Sequence, residues 1–398
     1  MTTNKQKQPA SYDGVALVAP VTVPYERFSE YGAQWFFGRA LAELVKSADI
    51  EKKDIDGLAV SSFTLAPDSV ITLTQYFSLT PRWIEQIPLG GASGVVALRR
   101  AARAIQAGDA EVIACIGADT NKKEGFRELV ENFSSFSASS SYPYGAAGPN
   151  GAFALITQHY MDRFEVKRED FAPIAMAQRH NARAYKHALI KKPMSREDYL
   201  DARPIAGPLH MLDCVMPCAG AEAFLVMSID RARSLGQPYV VIRAADELHN
   251  AYTDEDAIQV RAGWDSFAPG MYERAGLGPK DMNLLYTYDD YPVISMMQME
   301  DLGFCTKGKA AEFVQNTPLT FDGGGLVHNS SGGQLSCGQA GSAAGYIGVV
   351  EAMRQLTGAA LGQQVADAQR ALVSGYGMIN YDRGLCATAA ILETGDKK

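Results

Sequence analysis

Cysteine, histidine and tryptophan are scarce in this chain: six, six and three among 398 residues. Scattered cysteines exclude a disulfide-stapled scaffold, and the one close pair, Cys214 and Cys218, has no second pair with which to cage a zinc ion. No apolar run approaches the roughly 18 residues that a membrane-spanning helix needs. Met1 to Ala10 is polar, without the hydrophobic stretch of a secretion signal, and reads as a disordered leader on a cytoplasmic chain whose thiols stay reduced. Long basic runs are missing too. With 37 Lys+Arg against 45 Asp+Glu, the net charge of −8 leaves neither nucleic acid nor an anionic membrane as a fitting partner. Gly323 to Gly325 do not open a helix behind a strand, which removes a dinucleotide fingerprint. What remains, at 47% hydrophobic residues, is a globular chain of one large or two medium domains suited to small-molecule chemistry.

The chain does carry a repeated pattern. Gly90-Gly91-Ala92-Ser93-Gly94 is followed by the Ala-rich VVALRRAARAIQAG and then by the apolar EVIACIGAD. Gly338 to Gly345 is followed in the same way by YIGVVEAMRQLTG, a Gln/Ala segment and the apolar ALVSGYG of Ala371 to Gly377. Small residues at a helix head let it press on a strand or a second helix. Both helices are therefore expected to be central and buried, with their N-termini around one pocket. DGLAVSSF, EVIACIGA, FLVMSI and YVVIRAA are short and continuously apolar, as strands buried on both faces are. A duplicated α/β unit, layered helix, sheet, helix, sheet, helix, satisfies these patterns. The expected boundaries are 11–121 with 146–165 for an N-terminal half and 222–398 for a C-terminal half. Between them, 122–145 and 166–221 form a loop or lid domain where Ser, Pro, Tyr and His accumulate and where AMAQRHNARAYKHAL reads as helix.

Four stretches carry a family resemblance: GGASGVVALRRAARAIQAG with DAEVIACIGAD, DYLDARPIAGPLHMLDCVMPCAGAEAFLV, YDDYPVISMMQMEDLGF, and HNSSGGQLSCGQAGSAAG followed by EAMRQLTG. In this order, from about Asp13 to Leu392, the chain resembles the thiolase superfamily, more narrowly its sterol-carrier-protein-type or lipid-transfer branch. The resemblance implies an α/β thiolase fold with duplicated halves in five layers and an inserted loop domain. It also implies a coenzyme A thioester as substrate, no covalently bound cofactor, and a homodimer. Superfamily members that join or cleave acyl chains use a nucleophilic Cys at the first helix head, a His in a Gly-His-Pro motif and often a second Cys near the C-terminus. A thiolate gains from the helix dipole and takes the acyl group covalently, while the His and second Cys serve the thioester oxygen and the α-proton. Here those positions read Gly91-Ala92-Ser93-Gly94, Gly338-Gln339-Ala340, and Val373 or Ser374. Glycine cannot be acylated, so a ping-pong route through the first helix is disfavoured.

Tyr288-Asp289-Asp290-Tyr291 instead resembles the steroid side-chain-cleaving aldolases of the superfamily. These cleave β-hydroxyacyl-CoAs by retro-aldol chemistry, using tyrosines and no acyl-enzyme, and work with small companions that combine a zinc ribbon and an OB-fold. Their other tyrosine falls at Gln339. The resemblance thus implies a C–C lyase with Tyr288 as acid/base and Gln339 or Cys337 as auxiliary polar groups. Two alternatives stay open: an acyltransferase whose nucleophile is Cys337, and a non-catalytic thiolase-like subunit. Cys337 has a bland reading as a buried thiol under a glycine-rich loop. Adjacent Asp289 and Asp290 face opposite ways on an extended backbone, and the resemblance, which places an acidic residue at Asp289, implies that Asp289 is the one at the site. His328 borders the loop with Gly332 and Gly333, whose backbone is expected to approach the pantetheine or the developing oxyanion. At the first helix head, Gly91, Ala92 and Ser93 are substrate-binding candidates, with Ser93 equally an N-cap. His180 and His187 read as a solvated face. Phe133, Phe136, Tyr142 and Tyr144 would suit either a bulky apolar substrate or lid packing. No metal site is expected.

Overall fold

The computed structural model describes residues 11–125, 134–145, 148–253, 260–380 and 383–395; the leader and Phe133 lie outside them. Ten strands build the core: β1 (Val15–Glu26), β2 (Gly57–Ser61), β3 (Trp83–Gln86) and β4 (Val112–Asp119), then β7 (Ala219–Ser228), β8 (Val240–His249), β9 (Leu284–Tyr286), β10 (Val327–His328), β11 (Arg370–Ile379) and β12 (Gly384–Thr394). A small separate ribbon pairs β5 (Pro204–Ala206) with β6 (Leu209–His210). The core order is β10-β9-β11-β12-β8-β1-β7-β4-β2-β3, which reads the same from the centre in both directions. In each half three parallel strands, β3-β2-β4 or β10-β9-β11, are followed by two antiparallel ones, β7-β1 or β12-β8. One residue pair, Leu17 with Val240, joins the halves. The expected duplication is present, but β7 pairs with β1 and β4. The N-terminal sheet therefore takes its last strand from Ala219–Ser228, across the expected boundary at 221/222.

Burial explains which strands are readable. Every residue of β2 and β4 is buried, and nine of the ten in β7, so these run continuously apolar. β1 carries Pro20 and Pro24 and breaks register with β7 between Val18 and Val21 and again between Val23 and Glu26. Prolines at bulges conceal a strand from a reading by pattern.

Between the sheets lie the helices Ser93–Ala107 and Ile347–Thr357, each closed by a left-handed glycine, Gly108 (φ 78°) and Gly358 (φ 73°). Their heads touch: a Cβ on Gly94 would overlap the backbone of Gly345 and Tyr346. The helix Ala33–Ala48 covers the outer face of β1, β4 and β7, and Trp264–Ala275 covers β8 and β12. These are the five expected layers. Gly148–Phe164, expected in the N-terminal half, and Ala172–Ala182 of the inserted segment pack into one core with Trp264–Ala275 and Pro292–Asp301. The helix expected over AMAQRHNARAYKHAL ends at Ala182, and its remainder is turns. No helix among the described residues is long and apolar enough to cross a membrane.

Because Gly94 meets backbone that cannot rotate away, Gly94→Ala is expected to cost ~3 kcal/mol or to block folding. Gly270→Ala, whose Cβ would meet only the flexible end of Arg274 at 3.4 Å, is expected to be neutral or slightly stabilising. Denaturant melts of both variants check the contrast.

Candidate active site

The touching helix heads floor a pocket of about 100 Å³. Its lining includes Gly90, Gly91 and Gly341 from the two heads, Asp119 to Asn121 from the end of β4, and Tyr288 and Asp290 from the turn after β9. Gln298, on the helix Pro292–Asp301, fixes that turn from both sides. Its Oε1 accepts from the Tyr288 N–H at 3.0 Å, and its Nε2 donates to the Tyr288 carbonyl at 2.7 Å. The ring of Tyr288 then lies directly over Gly91, where any Cβ would overlap it.

Three side chains converge in the pocket. The Tyr288 hydroxyl donates to Asp290 Oδ2 at 2.9 Å, while Gln339 Nε2 donates to Asp290 Oδ1 at 2.7 Å and to the Tyr288 oxygen at 3.3 Å. Burial, with the neighbouring charge of Asp289, raises the Asp290 carboxyl to about 8 despite those two donors. Burial and the Asp290 charge push the Tyr288 phenol well above its ordinary 10. The carboxylate is thus the group poised near neutrality, and the phenol stays protonated. Tyr288, Gln339 and Gly91 line this one pocket. Asp290 is the missed partner; the opposite facing of adjacent residues was the available signal, with the wrong member chosen.

Asp289 points away from the pocket. Its carboxylate accepts from the N–H groups of Gln334 (3.0 Å) and Leu335 (3.1 Å) at the start of the helix Gly333–Cys337, and burial raises it to about 7. Gly333 (φ 56°) makes this approach possible, because a Cβ there would overlap the carboxylate. Gly332 packs on Ala182 and spends its N–H on the Asn329 carbonyl at 2.7 Å. Neither glycine lines the pocket that holds the Tyr288 hydroxyl, so both are corrected to supports of Asp289 and the helix Ala172–Ala182.

The remaining candidates are corrected in the same way. His328 is fully buried, with Nε2 at 2.7 Å from Thr287 Oγ1, and burial lowers it to about 3, which keeps it neutral and structural. Cys337 sits among Tyr25, Ala182, Tyr185 and Cys218, where burial and the charge of Glu222 raise the thiol well above its ordinary value. Such a thiol is no nucleophile. Ser93 is neither ligand nor cap: its Oγ donates to the Ile87 carbonyl at 3.2 Å and accepts from the Leu89 N–H at 3.3 Å, clamping the turn before the helix. The Ala92 N–H is spent on the Leu89 carbonyl at 3.0 Å. His180 bonds Asp322 Oδ2 at 3.0 Å, and half-buried His187 is lowered to about 4 by burial and by Lys186. Phe136, Tyr142 and Tyr144 do not line the pocket; Phe136 and Tyr144 are exposed. Cys218 does line it, with a thiol that burial pushes up.

Asp119 is a second pocket carboxyl that the sequence reading passed over. It ends β4 and accepts from the Ser62 hydroxyl, the N–H groups of Phe63 and Thr64, the Thr64 hydroxyl and the Ser342 N–H, at 2.6–2.9 Å. An acidic residue at the carboxyl end of an apolar strand, where such sheets open to ligands, was its signal. It ties the Ser62–Thr64 wall to the second glycine-rich head, and burial raises it to about 6.

Two mirrored sheets around paired helix heads define a thiolase fold, here with tyrosine, aspartate and glutamine where a cysteine enzyme keeps its nucleophile. Residues 244–393 match the family described as thiolase C-terminal domain-like. The chain is 31% identical, over 84% of its length and 89% of the relative's, to the 17-hydroxy-3-oxo-4-pregnene-20-carboxyl-CoA lyase of Mycobacterium tuberculosis. It is 29% identical, over 81% and 85%, to the steroid side-chain-cleaving aldolase of Thermomonospora curvata. Among solved structures it superposes on the Ltp2-ChsH2(DUF35) aldolase with a TM-score of 0.79 and 25% identity, covering 96% of this chain and 98% of that one. Human mitochondrial 3-ketoacyl-CoA thiolase shares the fold at a TM-score of 0.70 and 13% identity, over 97% and 100%. The chain belongs to the thiolase superfamily, on the branch that holds the steroid side-chain-cleaving aldolases.

Restoring the thiol is expected to fail. Gly91→Cys would displace Tyr288, so it should abolish turnover and form no acyl adduct by intact-protein mass spectrometry. Cys337→Ala should keep turnover within about threefold of the parent, since the thiol touches nothing that reacts.

Proposed function

We propose that the protein cleaves a β-hydroxyacyl-CoA by a retro-aldol reaction, with Asp290 as the base and Tyr288 as the hydroxyl that connects it to the substrate. The observation that carries this reading is the Tyr288–Asp290 hydrogen bond of 2.9 Å in a pocket whose floor, Gly91, has no side chain. A phenol oxygen has two acceptor positions. Gln339 occupies one, at 3.3 Å, and the substrate β-hydroxyl takes the other. As Asp290 draws the Tyr288 proton, Tyr288 takes the proton of the β-hydroxyl. The β-oxygen electrons form the new carbonyl, the Cα–Cβ bond breaks, and its electron pair moves onto the thioester as an enolate. The proton gained by Asp290 passes back through Tyr288 to Cα, giving the shortened acyl-CoA beside the released ketone or aldehyde and restoring the carboxylate, with no water consumed and no acyl-enzyme. Main chain at the first helix head, which lines the pocket at Gly90 and Gly91, is the proposed place for the enolate oxygen.

The acyltransferase alternative through Cys337 loses support because that thiol is buried and protonated. Both named steroid-cleaving relatives support the lyase reading. The DUF35 component of the solved neighbour supports a companion subunit; that it combines a zinc ribbon and an OB-fold is what the family resemblance implies. A homodimer is proposed through β3, whose residues alternate between part-buried and exposed at one end of the sheet order. Six unpaired cysteines suit a reducing, cytoplasmic setting.

The test is to incubate the protein, with and without a companion, with β-hydroxyacyl-CoAs and to quantify released carbonyl and shortened acyl-CoA. Asp290 is protonated below its folded value of about 8 and ionised above it. kcat/KM should therefore rise with pH and level off above about 8. Tyr288→Phe and Asp290→Asn should each lose roughly 10²–10⁴-fold, with the pH rise absent from the Asn variant. Thiolytic acyl transfer without carbonyl release would overturn the reading.

A further inference from the structure

The parallel pairing of β9 with β11 ends at Tyr286, opposite Val373. Thr287 and Tyr288 lie beyond it, and two side-chain amides take the place of the missing strand. Asn329 brackets the Thr287 main chain, accepting from its N–H at 3.1 Å and donating to its carbonyl at 3.2 Å. Gln298 brackets Tyr288 in the same way, at 3.0 and 2.7 Å. The Gln298 amide has no capacity left over: Nε2 donates a second bond to the Ile294 carbonyl at 2.9 Å, and Oε1 accepts a second from the Ser374 hydroxyl at 2.6 Å. Three main-chain groups already fix which end of the amide is oxygen, so the Ser374 hydroxyl can only donate to it. That hydroxyl is buried and belongs to β11, one residue past the last β9 pair. Its other acceptor within reach, the Tyr286 carbonyl, is 3.4 Å away. Neither Val373 nor Ser374, where the superfamily's second cysteine falls, lines the pocket that holds the Tyr288 hydroxyl: Val373 packs in the core between the sheets, and Ser374 faces Gln298.

Resting on the retro-aldol reading for its chemistry, we propose that Ser374 is a positioning residue of the site: its hydroxyl holds the Gln298 amide to β11, and the amide holds the Tyr288 main chain so that the phenol meets Asp290. Ser374 touches no reacting atom. Without its donor, Gln298 Oε1 keeps one of two bonds and gives Tyr288 a looser support, so the 2.9 Å bond from the phenol to Asp290 is made for less of the time. That bond favours the ionised carboxyl, and weakening it raises the pH at which Asp290 ionises.

The test is a carbon-13 titration of the aspartate carboxyls in the full chain, with the Asp290 resonance identified by difference from Asp290→Asn, carried out on Ser374→Ala and Ser374→Cys. Melting temperatures check that both variants fold. Cysteine nearly keeps the volume of serine but is a weak donor, so it separates the hydrogen bond from the packing. Both variants should move the Asp290 midpoint upward, in the direction set by Tyr288→Phe, which lacks the phenol donor outright. In turnover, kcat should fall roughly tenfold with KM within about twofold of the parent, the pattern of a reacting group held loosely rather than of lost substrate binding. An Asp290 midpoint unchanged or lowered in folded Ser374→Ala, turnover at the parent's kcat, or a Ser374→Cys that titrates as the parent does, would overturn the proposal. If the parent itself releases no carbonyl, the retro-aldol reading fails, while the titration still decides whether Ser374 positions Tyr288.

Discussion

The ring of Tyr288 lies on Gly91, and a Cβ at that position would overlap it. This contact determines what the pocket can do. In a thiolase frame the head of the first central helix is where an acyl-accepting thiol would stand. Here the same space is filled by a ring reaching across from the opposite half of the molecule. A side chain at position 91 and this placement of the Tyr288 ring therefore exclude each other. The contact also needs the mirrored sheets: only a duplicated frame with helix heads pressed together, Gly94 on Gly345, brings the turn after β9 over the turn before the first helix. Gln298 holds the Tyr288 main chain at both N–H and carbonyl, so the ring's position is set by backbone as well as by packing.

Around that ring lie three buried carboxyls that burial raises and that hydrogen-bond donors pull back. Asp119 accepts five hydrogen bonds and is raised to about 6. Asp289 accepts three, from Gln334 and Leu335, and is raised to about 7. Asp290 accepts two, from Tyr288 and Gln339, and is raised to about 8. Desolvation lifts all three, and each donor to the ionised form pulls back. The two well-supplied carboxyls hold structure: Asp119 joins a pocket wall to the second helix head, and Asp289 anchors the short helix after His328. The least supplied one faces the pocket and is left to exchange its proton.

The frame was legible in the sequence because its strands are buried on both faces and its central helices start on glycine and alanine, both of which leave plain patterns. β1 and the short β3, β9 and β10 were hidden, the first by Pro20 and Pro24 at its bulges and the others by their few residues. At the site, Tyr288, Gln339 and Gly91 could be found through the positions where family members keep functional residues. Asp290 could not be told from Asp289, since adjacency says that two carboxyls diverge but not which one meets the pocket. Cys337, His328 and Ser93 were plausible by residue type alone. Their roles depend on burial, which turns a thiol and an imidazole with ordinary titration into groups that stay uncharged. Asp119 carries no motif, and its importance lies in five hydrogen bonds from four residues spread over 281 positions of sequence, from Ser62 to Ser342.

The ionisation of Asp290 is the point on which the chemistry turns, and it can be observed directly. Carbon-13 labelling of aspartate carboxyls, with the spectrum of Asp290→Asn subtracted to identify the resonance, would follow this one group through a pH titration of the full chain. A midpoint near 8 is expected, with the signal moving further when Gln339→Ala removes one of its two donors. A midpoint near 4, the ordinary aspartate range, would mean that the pocket leaves the carboxylate charged at all working pH values and would contradict its role as a tuned base.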